Sequence, residues 1–156
     1  MDKFKNIFLI SLFLILCSCG YKVLNKSNGD YNIIRIDTYG DQRINYKIKN
    51  KLQIKNTKSS KIKFNLKINS TKKKIIKNKN IKNVITSYNL TIVTEVSYGV
   101  LGKLKEGSFT ITQNGDYKVS DQRLNTLNRE KSLTESLVNK IIEKINVRLN
   151  YIANDS

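Results

Sequence analysis

The chain has 156 residues and no His, Pro or Trp, and its 29 Lys and Arg against 12 Asp and Glu give a formal net charge of +17. The length suits one domain with a modest core, and the missing His together with the scarce carboxylates argues against an enzyme. The charge invites a nucleic-acid or membrane-surface partner, although Lys, Asn and Ile at 24, 20 and 21 residues point to an AT-rich genome that supplies part of it.

Residues 1–18 read as a secretory signal. Lys3 and Lys5 form a short positive start, and Ile7 to Leu16 is an almost unbroken apolar run, too short to span a bilayer as a helix. Leu16-Cys17-Ser18-Cys19-Gly20 then resembles a bacterial lipobox, with Leu three residues before Cys19 and a small residue just before it. Cys19 is the expected lipid attachment site. Cys17 fits poorly, because bulky Leu16 would stand in the small-residue position. An ordinary secretory signal and an uncleaved anchor are the alternatives. Lipidation puts a covalent diacylglycerol and an N-acyl chain on Cys19, and two or more chains hold a protein stably to a membrane. The resemblance to bacterial lipoproteins, with Gly20 rather than Asp after the Cys, implies sorting to the outer membrane, on its periplasmic side. A protein held there meets no genomic DNA, so no nucleic-acid partner is expected, and no cofactor beyond the lipid.

Residues 19–30 read as a lipidated polar tether and residues 31–156 as a single domain. Tyr31 to Asp37 predicts a short strand. Asp41 can cap a helix carrying Ile44, Ile48 and Leu52, but Ile44, Tyr46 and Ile48 also alternate, so residues 42–54 stay open between helix and strand. Ile62, Phe64, Leu66 and Ile68 alternate strictly with Lys63, Asn65 and Lys67, which predicts a half-buried strand. The Lys- and Asn-rich stretch from Lys72 to Lys82 continues that strand and passes into a flexible loop. Tyr88, Leu90, Ile92, Val96, Tyr98 and Val100 form a second period-2 run, broken at Thr94.

Gly99, Gly102 and Gly107 punctuate the end of that run and the stretch beyond it. Ser108 to Thr112 predicts another strand with Phe109 and Ile111 inward, and Asn114-Gly115 marks a turn. Ser132 with Glu135 matches a capping box. Leu133, Leu137, Val138, Ile141, Ile142, Ile145, Leu149 and Ile152 then give the stripe of a core-facing closing helix, whose start could lie as early as Leu124 or Leu127. Coiled-coil pairing is the alternative, but the stripe is too broad for a strict seam. The order β-α-β-β-β-α predicts an α+β two-layer sandwich, a four-stranded sheet with two helices on one face.

Charge is unevenly placed. Residues 42–94 hold Arg43 and fourteen Lys with no acid, whereas residues 95–156 hold nine bases and eight acids. Genome bias raises Lys everywhere and does not explain this split. A solvated surface accounts for each lysine taken singly. For the cluster, the alternative is an anion-facing surface. Its candidates are Lys63 and Lys67 on the 62–68 strand, with Lys72, Lys73, Lys74, Lys77, Lys79 and Lys82 in the stretch after it. Tyr88 and Tyr98 read as strand core rather than interface aromatics. Glu95, Asp116 and Asp121 have no partner constellation that would make them a catalytic acid or base, and no metal site is expected.

After the signal, the whole chain resembles the lipopolysaccharide-assembly lipoprotein (LptE) family, particularly its alphaproteobacterial branch. Cys19-Gly20-Tyr21-Lys22-Val23-Leu24 is similar to that family's opening, and residues 84–112 to its paired long strands. Tyr117, Ser136-Leu137 and Ile142 through Arg148-Leu149 sit like its strand-exit Tyr and its closing helix. The chain departs from the family in a Lys-rich first helix and a closing helix without Ala-rich small positions. The resemblance implies a non-enzymatic outer-membrane lipoprotein that plugs and helps assemble an LptD-like β-barrel, the one that inserts lipopolysaccharide. It also implies binding of lipopolysaccharide on its way to the outer leaflet. The other reading is a general envelope lipoprotein that binds another anionic lipid or scaffolds another envelope complex.

Overall fold

Period-2 alternation of apolar and polar residues builds one sheet, and the apolar face of that sheet decides where the helices go. The computed structural model describes residues 31–54, 62–102 and 104–155; the signal, Cys19 and the tether lie outside the described residues. The elements are β1 (Tyr31–Gly40), α1 (Gln42–Ile54), β2 (Ile62–Lys79), β3 (Ile85–Val100), β4 (Glu106–Lys118) and α2 (Arg123–Asn154). The sheet order is β1-β2-β3-β4. β1 runs parallel to β2, the pairing that needs a crossover, and α1 lies in that crossover. The other two pairings are antiparallel. This is the expected α+β sandwich, β-α-β-β-β-α.

The 42–54 segment is a helix. Asp41 Oδ1 accepts hydrogen bonds from the backbone N–H groups of Arg43 at 3.0 Å and Ile44 at 3.1 Å, which satisfies donors that a helix start leaves unpaired. Ile44, Ile48 and Leu52 are all buried, while Tyr46 is 68 % exposed, so the period is 3.6 and not 2. They share one core with Phe64, Leu66 and Ile68 of β2, Leu90, Ile92 and Val96 of β3, and Leu137, Ile141, Ile145 and Leu149 of α2. Nearly all of the stripe foreseen for the closing helix is buried, and Leu133 packs against its edge.

Four expectations change. Thr94 does not break the second run: it points inward, fully buried, and its hydroxyl lies 3.0 Å from that of Ser70, which satisfies both. Asn114-Gly115 is not a turn. β4 runs straight through it, and Gly115 lies under α2, with Leu133 Cδ1 standing 2.8 Å from where a Cβ would be. Ser132 and Glu135 do not begin a helix, since α2 already starts at Arg123 and Glu135 instead pairs with Lys47 at 2.9 Å. The entry to α2 is held by Thr126, whose hydroxyl accepts from the Ser120 N–H at 2.8 Å and donates to the Ser120 carbonyl. Finally, β2 runs on to Lys79, so the foreseen loop shrinks to the tip between Lys79 and Ile85.

Candidate anion-facing surface

The lysine-rich stretch is a strand, and a strand deals its side chains alternately to two faces. Phe64, Leu66 and Ile68 face the helices, so Lys72 and Lys74 share that side, while Lys63, Lys67, Lys73 and Lys77 face the open side of the sheet. The tip carries Lys79 and Lys82. The eight candidates therefore form three groups and not one continuous loop.

The helix-side pair is tied to one carboxylate. Lys72 Nζ lies 2.8 Å from Glu130 Oε1, and Lys74 Nζ lies 2.8 Å from Glu130 Oε2. The Tyr117 hydroxyl donates to Glu130 Oε2 at 2.7 Å. Lys74 Nζ also sits 4.2 Å over the Tyr88 ring, which stacks on Tyr117 with centroids 5.6 Å apart. Partial burial disfavours the Glu130 carboxylate, yet the hydrogen bonds from Lys72, Lys74 and Tyr117 outweigh it and hold its pKa at about 2. Partial burial likewise opposes the Lys74 ammonium, and its hydrogen bonds to Glu130 and Tyr117 overcome that to raise it to about 12. Burial, first among several causes, pushes the Tyr117 hydroxyl upward. These two lysines are structural ties between β2 and α2, and the single Glu130 carboxylate offsets only one of their two charges.

On the open side, Lys77 pairs with Asp116. That contact, then a hydrogen bond from Asn89 at 2.7 Å, lowers the Asp116 carboxyl below its ordinary range. Lys67 lies across from Asp37 of β1, which is itself engaged by Arg35 at 2.9 Å. Lys63 and Lys73 stand exposed on the same face. At the tip, the Asn80 side chain accepts from the N–H groups of Lys82 and Val84, and Asn83 takes a positive φ of 61°. Lys79 Nζ donates to Asn83 Oδ1 at 2.9 Å, so the tip is a built turn that presents Lys82 together with fully exposed Ile81.

A cleft of about 830 Å³ opens between the start of α1, Lys72 and the first half of α2, lined by Asp41, Arg43, Tyr46, Lys47, Leu127, Glu130 and Lys131 among others. Glu95 and Asp116 project from the open face of the sheet, on different strands and without a shared partner. No group of three or more His, Cys, Asp or Glu able to hold a metal ion exists among the described residues, and no described helix is long and apolar enough to cross a membrane. Glu130 was not legible as a functional residue. Its ties to Lys72 and Lys74 span 58 and 56 residues, and no local spacing signals them.

No protein-family model matches the sequence, and no curated protein does. Solved structures do share the fold. The rare lipoprotein B of Shewanella oneidensis superposes with a TM-score of 0.60 at 11 % identity, over 78 % of this chain and 97 % of that one. A protein of Caulobacter crescentus described as a lipoprotein gives 0.54 at 13 % identity, over 78 % and 92 %. Lipoprotein B of Nitrosomonas europaea gives 0.52 at 12 % identity, over 83 % and 90 %. At such identities the likeness establishes the architecture.

Proposed function

We propose that this chain is a lipid-anchored outer-membrane lipoprotein of the LptE kind, held through Cys19 on the periplasmic side. In this reading it plugs and helps assemble an LptD-like lipopolysaccharide-insertion barrel and binds lipopolysaccharide on the way. It works by binding and not by catalysis. The observation that carries the reading is the β2–β3 hairpin. Beyond Ser70 it outruns β1, and its β2 arm and tip hold Lys73, Lys77, Lys79 and Lys82 on surfaces open to solvent. Lipopolysaccharide presents phosphates and acidic sugars on a lipid, which suit mobile ammonium groups together with exposed apolar residues such as Ile81 and Val84. The lipobox at Cys19 and the fold shared with three lipoproteins support the compartment.

Each exposed pair contributes roughly 0–1 kcal/mol, so binding would come from the cluster and its field. The same cluster suits other anionic lipids, and the general envelope-lipoprotein reading rests on that. Co-expression with a tagged barrel from the same organism separates the two. The proposal expects an equimolar complex recovered through the barrel's tag. Recovery of the barrel alone would sink the plug assignment and leave the general lipoprotein reading.

A further inference from the structure

β1 covers only half of β2. Their pairing runs from Tyr31 with Ile62 to Gly40 with Ser70. From Thr71 to Lys79, β2 has β3 on one side and, among the described residues, no strand on the other. Two hydrogen bonds fix where its backbone groups point. The Ser70 carbonyl accepts from the Asp41 N–H at 2.7 Å on the β1 side, and the Lys63 carbonyl accepts from the Leu101 N–H at 2.8 Å on the β3 side. In a strand, N–H and C=O of one residue point the same way and successive residues alternate. Lys72, Lys74 and Ile76 therefore aim both groups at the vacant position. The vacancy is about 30 Å long at 3.3 Å per residue.

A row of unpaired backbone groups accepts an extended segment as an added strand. Charge decides which segment. Thr71 to Lys79 holds five Lys and no acid. A second copy laid edge to edge would set those lysines against their equals, and like charges directly opposite are destabilising. Edge lysines thus block self-pairing, and an acidic strand removes the block. Its side chains on one face would meet Lys73 and Lys77. Those on the other would meet Lys72 and Lys74 and, at one end, the cleft where Arg43 and Lys131 stand. The geometry points to Thr71–Lys79 as a strand-addition site for an extended acidic segment of a protein partner. The inference rests on backbone direction and charge, and it stands whether or not lipopolysaccharide is the ligand of the tip.

The test uses the full chain, 15N-labelled, in neutral phosphatidylcholine bicelles. The probe is an acetylated nine-residue peptide alternating Glu and Val. It should slow hydrogen exchange at the amides of Lys72, Lys74 and Ile76 at least tenfold and leave Thr71, Lys73 and Ile75, already bonded to β3, unchanged. A Lys/Val peptide should do nothing. Ile76→Pro keeps every lysine and removes one edge N–H at a position next to a bulge, where Pro is tolerated. It should weaken the peptide at least tenfold with an unchanged circular dichroism spectrum. If that variant unfolds, a Glu/Val peptide N-methylated at alternate residues asks the same question from the ligand side and should fail to bind. The proposal is overturned if millimolar Glu/Val peptide gives no protection, or if the N-methylated peptide binds equally well. It is also overturned if phosphatidylglycerol-doped bicelles protect the same three amides equally, which would make the edge a headgroup surface.

Discussion

The carbonyl oxygen of Ser70 lies 2.3 Å from the position that a Cβ on Gly40 would occupy, and Gly40 has a φ of +84°. Here β1 leaves the sheet and its path turns into α1, and the Ser70 carbonyl accepts from the Asp41 N–H just beyond the strand. Gly40→Ala combines a left-handed backbone with a collision against main chain, which cannot rotate away. It should cost more than about 2 kcal/mol by urea unfolding. Gly102→Ala is the control. Its φ is +79° with nothing within 4 Å of the added carbon, so only the conformational cost of about 1 kcal/mol is expected. Equal losses at the two sites would remove the collision from the account.

Ser70 and Thr94 form a buried hydroxyl pair in the centre of the sheet. Thr94→Val or Ser70→Ala alone leaves one buried hydroxyl unsatisfied and should cost about 1–3 kcal/mol. The double variant removes both groups and should recover a large part of that loss. A double-mutant cycle by chemical denaturation measures the coupling, and strict additivity would contradict it.

Glu130 makes stability depend on acid. Its pKa falls from an ordinary 4.5 to about 2 on folding, because Lys72, Lys74 and Tyr117 outweigh the opposing effect of burial. A carboxyl lowered by folding stabilises above its unfolded pKa, and the contribution fades as pH drops from 4.5 towards 2. The lysines are partly exposed, so solvent screening limits this to about 1–2 kcal/mol. Glu130→Gln should lower stability at pH 7 by that amount and flatten the acid limb between pH 5 and about 2. An unchanged limb would place the acid sensitivity elsewhere.

The three lysine groups should separate by experiment. Under the proposed function, changing Lys63, Lys67, Lys73, Lys77, Lys79 and Lys82 to Gln should weaken lipopolysaccharide binding and reduce its salt dependence, with the fold intact by circular dichroism. Changing Lys72 and Lys74 to Gln should instead lower the melting temperature, because both ammonium groups bridge β2 to Glu130 of α2. Undiminished binding in the six-site variant would take the open face and tip out of the ligand surface.

Under the proposed function, in which acyl chains on Cys19 supply the anchoring, Cys19→Ala should move the protein from the membrane fraction to the soluble periplasmic fraction. Retention in the membrane would mean that a barrel holds the protein by itself or that Cys19 carries no lipid.

The sequence by itself determined the layers. Alternation at Ile62 to Ile68 and the stripe from Leu133 to Ile152 specify which side of each element must be dry, and burying those sides against each other leaves few arrangements. It also located the acid-free lysine region. It could not distribute those lysines, because the 62–79 strand deals them to opposite faces only once its register with β3 exists. It misread Gly115 as a turn and Ser132 as a cap, since local chemistry permits both roles. Only the fold shows Gly115 in mid-strand beneath α2, and only the helix start at Arg123 places Ser132 within a helix. Tertiary structure alone paired Glu130 with Lys72 and Lys74, and it alone ended β1 at Gly40 and left half of β2 without a second neighbouring strand among the described residues. Such contacts join residues dozens of positions apart, where no periodic signal along the chain records them.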